Sequence, residues 1–268
     1  MKKTLLLVGA LCVLGTTAFG ATKVNSEIRV IEYKNGAADK IEYTIAEGKT
    51  DIAENIKFAF DLDLDTEYNS SDRKKYIDSD WRLEYAVPEE VLGHNLTVSY
   101  ELDYETYTDD YDDNGIDHDL RFEFAKDNYY IAPSYNYNNG IDDDYLQVDV
   151  AFGATGPLGT DVWFESYNYF DKEGSDTWET DLEIYVSKTV PFYGINLKPE
   201  LGFEGYDMMT DGNEDVSVYA QLRVDKSFDV LEGFVVTPYA AYTDYDAIVD
   251  GSTNDIYTEF GVETTYKF

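Results

Sequence analysis

The stretch "NIKFAFDLDLD", Asn55–Asp65, alternates without a break. Ile56, Phe58, Phe60, Leu62 and Leu64 fall on one face of an extended chain. Lys57, Ala59, Asp61, Asp63 and Asp65 fall on the other. A period of two predicts a strand with one apolar and one charged face. It leaves a choice: the apolar face looks either into a core or out into lipid.

The pattern recurs along the chain. "LTVSYELDYE" (96–105) sets Leu96, Val98, Tyr100, Leu102 and Tyr104 against Thr97, Ser99, Glu101, Asp103 and Glu105. "WETDLEIYVSK" (178–188) sets Trp178, Thr180, Leu182, Ile184 and Val186 against Glu179, Asp181, Glu183 and Tyr185. "INLKPELGFE" (195–204) opposes Ile195, Leu197, Pro199, Leu201 and Phe203 to Asn196, Lys198, Glu200 and Glu204. "VSVYAQLRVD" (216–225) opposes Val216, Val218, Ala220, Leu222 and Val224 to Tyr219, Gln221, Arg223 and Asp225. Further strands are predicted to start near Asp80, His118, Tyr129, Tyr145, Val162, Phe234 and Asp255. "VWFESYNYF" (162–170) and "FVVTPYAAY" (234–242) carry apolar residues on both faces. A lumen-facing aromatic or a bulge accounts for either.

"EIRVIEYK" (27–34) and "KIEYTIAE" (40–47) are weaker strands around an Asn35-Gly36 turn signal. With them the count is about fourteen, the favoured number; without them it is about twelve. Both numbers are even, which puts the two termini on one side. The connections alternate in character. "KDN", "ATGPLG", "VPFYG" and "SFDVLEG" are short, while "TDDYDDNGID", "NNGIDDD", "DKEGSD", "DMMTDGNED" and "TDYDAIVDGSTND" are acidic and often longer.

The N-terminus sets the compartment. Lys2 and Lys3 precede an uncharged run from Leu5 to Thr17, followed by Ala18-Phe19-Gly20. This reads as a signal peptide over 1–20, leaving 21–268 as one domain. The one cysteine, Cys12, is lost with it. The chain has 55 acidic and 20 basic residues, a formal charge of -35. Removal of two lysines takes this to about -37, which argues against a nucleic-acid partner.

Three observations favour lipid over a soluble core. Several alternating runs reach about nine to eleven residues, the length of a tilted membrane strand. The apolar faces of the clear strands hold no Asp, Glu, Lys or Arg, and a Lys or Arg facing mid-bilayer costs about 2–4 kcal/mol. A closed sheet of twelve or more strands also encloses more space than side chains fill, so its interior is wet. Tyr68, Trp81, Tyr107, Tyr129, Tyr145, Trp178, Tyr206 and Tyr242 near strand ends fit interfacial girdles. The fold class expected is all-β: a transmembrane antiparallel up-and-down β-barrel.

On these residues the chain resembles the Gram-negative outer-membrane β-barrels, in particular the monomeric porin-like barrels of about twelve to fourteen strands. In that class the last strand ends in an aromatic preceded by alternating apolar positions. Phe268, Tyr266, Thr264, Val262, Phe260, Thr258 and Ile256 stand in that phase, with Thr264 less apolar than usual. The resemblance implies insertion in the outer membrane among lipid and lipopolysaccharide. It also implies recognition of the last strand, Phe268 and Tyr266 above all, by the barrel-assembly machinery.

The charged face is then the lumen. Its expected pore-lining acids are Asp61, Asp63, Glu84, Glu101, Asp103, Glu105, Glu123, Asp181, Glu183, Glu200, Glu259 and Glu263, and its bases Arg82, Arg121, Lys198 and Arg223. Carboxylate rings favour cations, so the function expected is passive diffusion of small hydrophilic solutes, with cations preferred. No cofactor or built metal site is expected. "DYDDNG" (110–115) matches the start of a calcium loop, but Arg121 stands where its glutamate belongs. Loose divalent binding by acidic loops is the wider expectation. Two alternatives remain open: a non-conducting structural or adhesive barrel with acidic surface loops, and a rim hydrolase using His118 beside Asp117 and Asp119.

Overall fold

In the computed structural model residues 23–34, 39–68, 75–107, 114–139, 145–171, 178–206, 215–249 and 256–267 are described. Fourteen antiparallel strands make the barrel. These are β1 (Lys23–Tyr33), β2 (Asp39–Ala53), β3 (Ile56–Tyr68), β4 (Lys75–Ala86), β5 (Asn95–Tyr107), β6 (Asn114–Lys126) and β7 (Tyr129–Asn139). They continue as β8 (Tyr145–Thr155), β9 (Thr160–Asp171), β10 (Trp178–Lys188), β11 (Ile195–Tyr206), β12 (Asp215–Asp225), β13 (Phe234–Val249) and β14 (Ile256–Lys267). Val190–Phe192 extends β10 along β11 past a break at Thr189, and Phe228–Leu231 extends β12 along β13 in the same way.

Each strand pairs with the next, and β1 closes on β14 from Lys23↔Lys267 to Tyr33↔Tyr257. Closure leaves no sheet edge, so no ladder of backbone donors is left unpaired. The order is up-and-down, and the two weak N-terminal segments are full strands. Two predicted starts lie too far along: β4 begins at Lys75 rather than Asp80, and β6 at Asn114 rather than His118. Acidic residues at strand ends look like loop in the sequence, but the neighbouring ladder recruits them.

The burial pattern decides which face is which. Leu83, Tyr100, Phe122, Ile131, Leu201, Leu222 and Phe260 are all exposed, while Ser134, Asp149, Glu165, Glu204, Thr243 and Glu259 are buried. Large apolar side chains outside and carboxylates inside invert a soluble core. Such an exterior is stable only in an apolar solvent. Charged outward positions stand near strand ends, Glu32 and Asp244 toward the long loops and Lys126 and Lys188 toward the short turns. From there they reach water.

The exterior is not uniformly apolar. Ser166, Asn168 and Thr180 share it and satisfy one another. Asn168 donates to the Val148 carbonyl at 2.8 Å, and Thr180 donates to Asn168 Oδ1 at 3.2 Å. Trp81 lies outward in the middle of β4 rather than in a girdle, with its ring 6.0 Å from that of Phe58. Tyr129 and Tyr242 stand outward on β7 and β13. The side chains of Tyr68, Tyr107, Tyr145, Trp178 and Tyr206 lie outside the described set.

The short connections all open on the side of the termini. Leu158-Gly159 and Tyr193-Gly194 turn through left-handed backbone, at φ 73° and 68° and at φ 49° and 81°. Gly takes this conformation freely, whereas Leu and Tyr do so at a cost.

Candidate functional site

Fourteen strands at about 4.8 Å spacing, tilted as barrels require, give a ring roughly 25–30 Å across between backbones. The inward positions are therefore the candidate site. The pore-lining positions predicted from sequence fall on that face: Asp61 and Asp63 on β3, Arg82 and Glu84 on β4, Glu101 and Asp103 on β5, Arg121 and Glu123 on β6. So do Asp181 and Glu183 on β10, Lys198 and Glu200 on β11, Arg223 on β12, and Glu259 and Glu263 on β14. Glu105 and Phe268 lie outside the described side chains. Tyr266 faces outward, its ring 6.2 Å from that of Phe234.

Register brings the acids of β3 to β6 into rows. Asp61 pairs with Asp80, Asp80 with Asp103, and Asp103 with Asp117. One row toward the long loops, Asp63 pairs with Asp78. Directly opposed like charges are destabilising. Asp78, Asp80 and Asp103 each place an oxygen within 4.8 Å of the other two, a spacing that suits a cation. Basic residues flank the rows on both sides, Arg82, Lys49 and Arg121 toward the short turns and Arg29 toward the long loops. Arg82 bridges Glu84 and Glu101, both at 3.1 Å, and Lys49 meets Glu84 at 2.5 Å. Arg121 reaches Glu165 at 3.9 Å, and Arg29 pairs with Glu42.

A second group of inward residues is aromatic, and the alternation of the sequence puts only part of it, Tyr185 and Tyr219, on the polar face. Tyr130, Trp163, Tyr185, Tyr219, Tyr239 and Tyr245 all project inward. They explain the two segments of ambiguous phase: Trp163, Tyr167 and Tyr169 are lumen-facing in the first, and Tyr239 in the second. Register makes a row of Tyr130, Gly153, Trp163, Tyr185, Gly202, Tyr219 and Tyr245 across seven strands. The two glycines are part of it. A Cβ on Gly153 would meet the Tyr130 ring at 2.2 Å, and one on Gly202 the Tyr219 ring at 2.0 Å. Gly261 is covered by Tyr239 in the same way. The tyrosine hydroxyls hold glutamates: Tyr219 to Glu200 at 2.7 Å, Tyr185 to Glu183 and Glu204 at 3.0 Å each, and Tyr239 to Glu27.

The hydrolase arrangement around His118 does not form. Alternation sends Asp117 and Asp119 inward and His118 outward. His118 Nδ1 lies 2.7 Å from the Tyr100 hydroxyl, and its ring stacks between Tyr100 and Tyr137 at 6.1 and 6.4 Å. His94 sits in the β4–β5 connection, with Nε2 2.9 Å from the Tyr129 hydroxyl. Of the calcium-loop match, Asn114 and Gly115 belong to β6, while Asp110 and Asp112 lie outside the described residues.

No protein-family model matches the chain, and no curated protein matches it. Solved structures do. A bacterial polysaccharide outer membrane secretin superposes with TM-score 0.51 at 10% identity, over 92% of this chain and 99% of that one. CdiB from Acinetobacter baumannii gives TM-score 0.51 at 9% identity, over 91% of this chain and 60% of CdiB, so the chain spans less than two thirds of that protein. Likeness at such identity shows the fold alone. The fold is that of the bacterial outer-membrane β-barrels, and an integral outer-membrane location is consistent with it.

Proposed function

We propose that the chain is a porin-like outer-membrane channel for passive diffusion of small hydrophilic solutes, with cations preferred. The row Asp61–Asp80–Asp103–Asp117 carries the reading. Four carboxylates in register around one arc of the lumen hold a negative potential there, and the nearby bases are already paired with other acids. Such an arc attracts permeant cations and repels anions. A lumen of this diameter admits hydrated ions without a dedicated filter. Removal of residues 1–20 as a signal peptide and assembly through the last strand belong to the same proposal.

The test is a planar-bilayer recording on pure refolded protein. Stepwise conductance is expected, with a salt-gradient reversal potential of cationic sign. A barrel that inserts but gives no steps overturns the channel. Steps with an anionic reversal potential overturn only the charge argument.

A further inference from the structure

Near the short-turn mouth the inner wall holds a recess of about 300 Å³ lined by Asp161, Trp163, Tyr185, Ser187, Glu200 and Tyr219. Three rings form one side. Trp163 stacks on Tyr185 with centroids 5.0 Å apart and planes at 21°. Tyr185 and Tyr219 lean together across Gly202, their centroids at 5.5 Å and planes at 49°. The missing Cβ at Gly202 makes this approach possible, because the Tyr219 ring occupies its place. Two carboxylates complete the recess, and no described ion pair includes either. The nearest inward bases are engaged elsewhere: Lys198 with Asp225 at 2.8 Å and Arg223 with Glu263.

We infer that this recess binds organic ammonium cations, a positive nitrogen carrying an apolar body. The reason is the balance of donors. Tyr219 gives its proton to Glu200, and Tyr185 gives its own to Glu183 or Glu204. The recess is left with carboxylate acceptors and electron-rich rings. A sugar needs several wall donors for its own acceptor oxygens and finds two, Ser187 and the Trp163 indole N–H. A small metal ion gains from the carboxylates but loses its water to no purpose against the rings. An alkylammonium ion uses both, the charge against Asp161 and Glu200 and the alkyl groups against the rings. The inference deepens the channel reading, since a solute reaches the recess through the lumen, and it names the class of cation retained there.

Tryptophan fluorescence of the refolded protein in detergent tests the recess without any conductance. Tetramethylammonium chloride is titrated against sodium chloride at equal ionic strength. A saturable change with the first salt alone is expected, lost in Trp163→Phe. Glu200→Gln is expected to weaken binding by about threefold, and Tyr185→Leu by about tenfold. Tyr185→Phe keeps the ring and is expected to bind within about twofold of the parent. If Tyr185→Leu fails to fold, the near-isosteric Glu200→Gln carries the test. An equal response to sodium chloride, or parental affinity in Glu200→Gln and Tyr185→Leu, overturns the inference. Saturable binding by a barrel that does not conduct sinks the channel and leaves the recess standing. Conductance without saturable binding does the reverse.

Discussion

Two arcs of the same wall handle negative charge in opposite ways. On β3 to β6, aspartate faces aspartate across successive strands, and Arg82 and Arg121 compensate only on one side. On β9 to β14 and β1, glutamates are equally inward, but tyrosine hydroxyls donate to Glu183, Glu200, Glu204 and Glu27. The first arc sets carboxylate against carboxylate across three strand pairs. The second pairs Glu263 with Arg223 and Asp225 with Lys198, and holds Glu27, Glu183, Glu200 and Glu204 with neutral hydroxyl donors. In the channel we propose, stability and permeation are separated around the circumference: the aromatic arc would stiffen the barrel, and the aspartate arc would set charge selectivity.

The contrast can be broken from either side. The largest expected effect is on the aromatic arc. Tyr239→Phe strips the half-buried Glu27 of its hydroxyl donor, and loss of a hydrogen bond to a charged group costs about 1.5–3 kcal/mol. Urea unfolding should show that drop; an unchanged midpoint would mean the hydroxyl is only a bystander. Gly202→Ala comes next. Its Cβ enters the Tyr219 ring, and forced repacking costs about 1–3 kcal/mol. Tyr219→Ala added to it should recover part of the loss, and a double variant worse than additive would refute the ring-over-glycine contact. The smallest effect is on the aspartate arc and has the other sign. Asp80→Asn removes a charge opposed on both flanks, so stability should rise by about 0.2–1 kcal/mol. A loss there would show that the aspartates are held by a bound cation.

Most of this division was hidden in the sequence for one physical reason. Period-two alternation shows which residues share a face, and the Asn55–Asp65 segment showed this for the aspartates. Tyrosine is equally at home outward, as Tyr100 and Tyr135, and inward, as Tyr185 and Tyr219. Its inner role emerges only from a partner on the next strand. Register supplies that partner, and register depends on bulges such as the one in β2 between Thr44 and Gly48. The same limit explains His118. Its neighbours in the chain are Asp117 and Asp119, but its neighbours in space are Tyr100 and Tyr137.

The central claim is that the aspartate row sets the sign of selectivity. The direct measurement is the reversal potential of single channels under a potassium chloride gradient, for the parent and for the Asp61→Asn, Asp80→Asn, Asp103→Asn triple variant. The parent should reverse at a cationic potential, and the variant should lose most of it while conductance steps persist. A parent that reverses at an anionic potential, or a triple variant indistinguishable from it, would contradict the account.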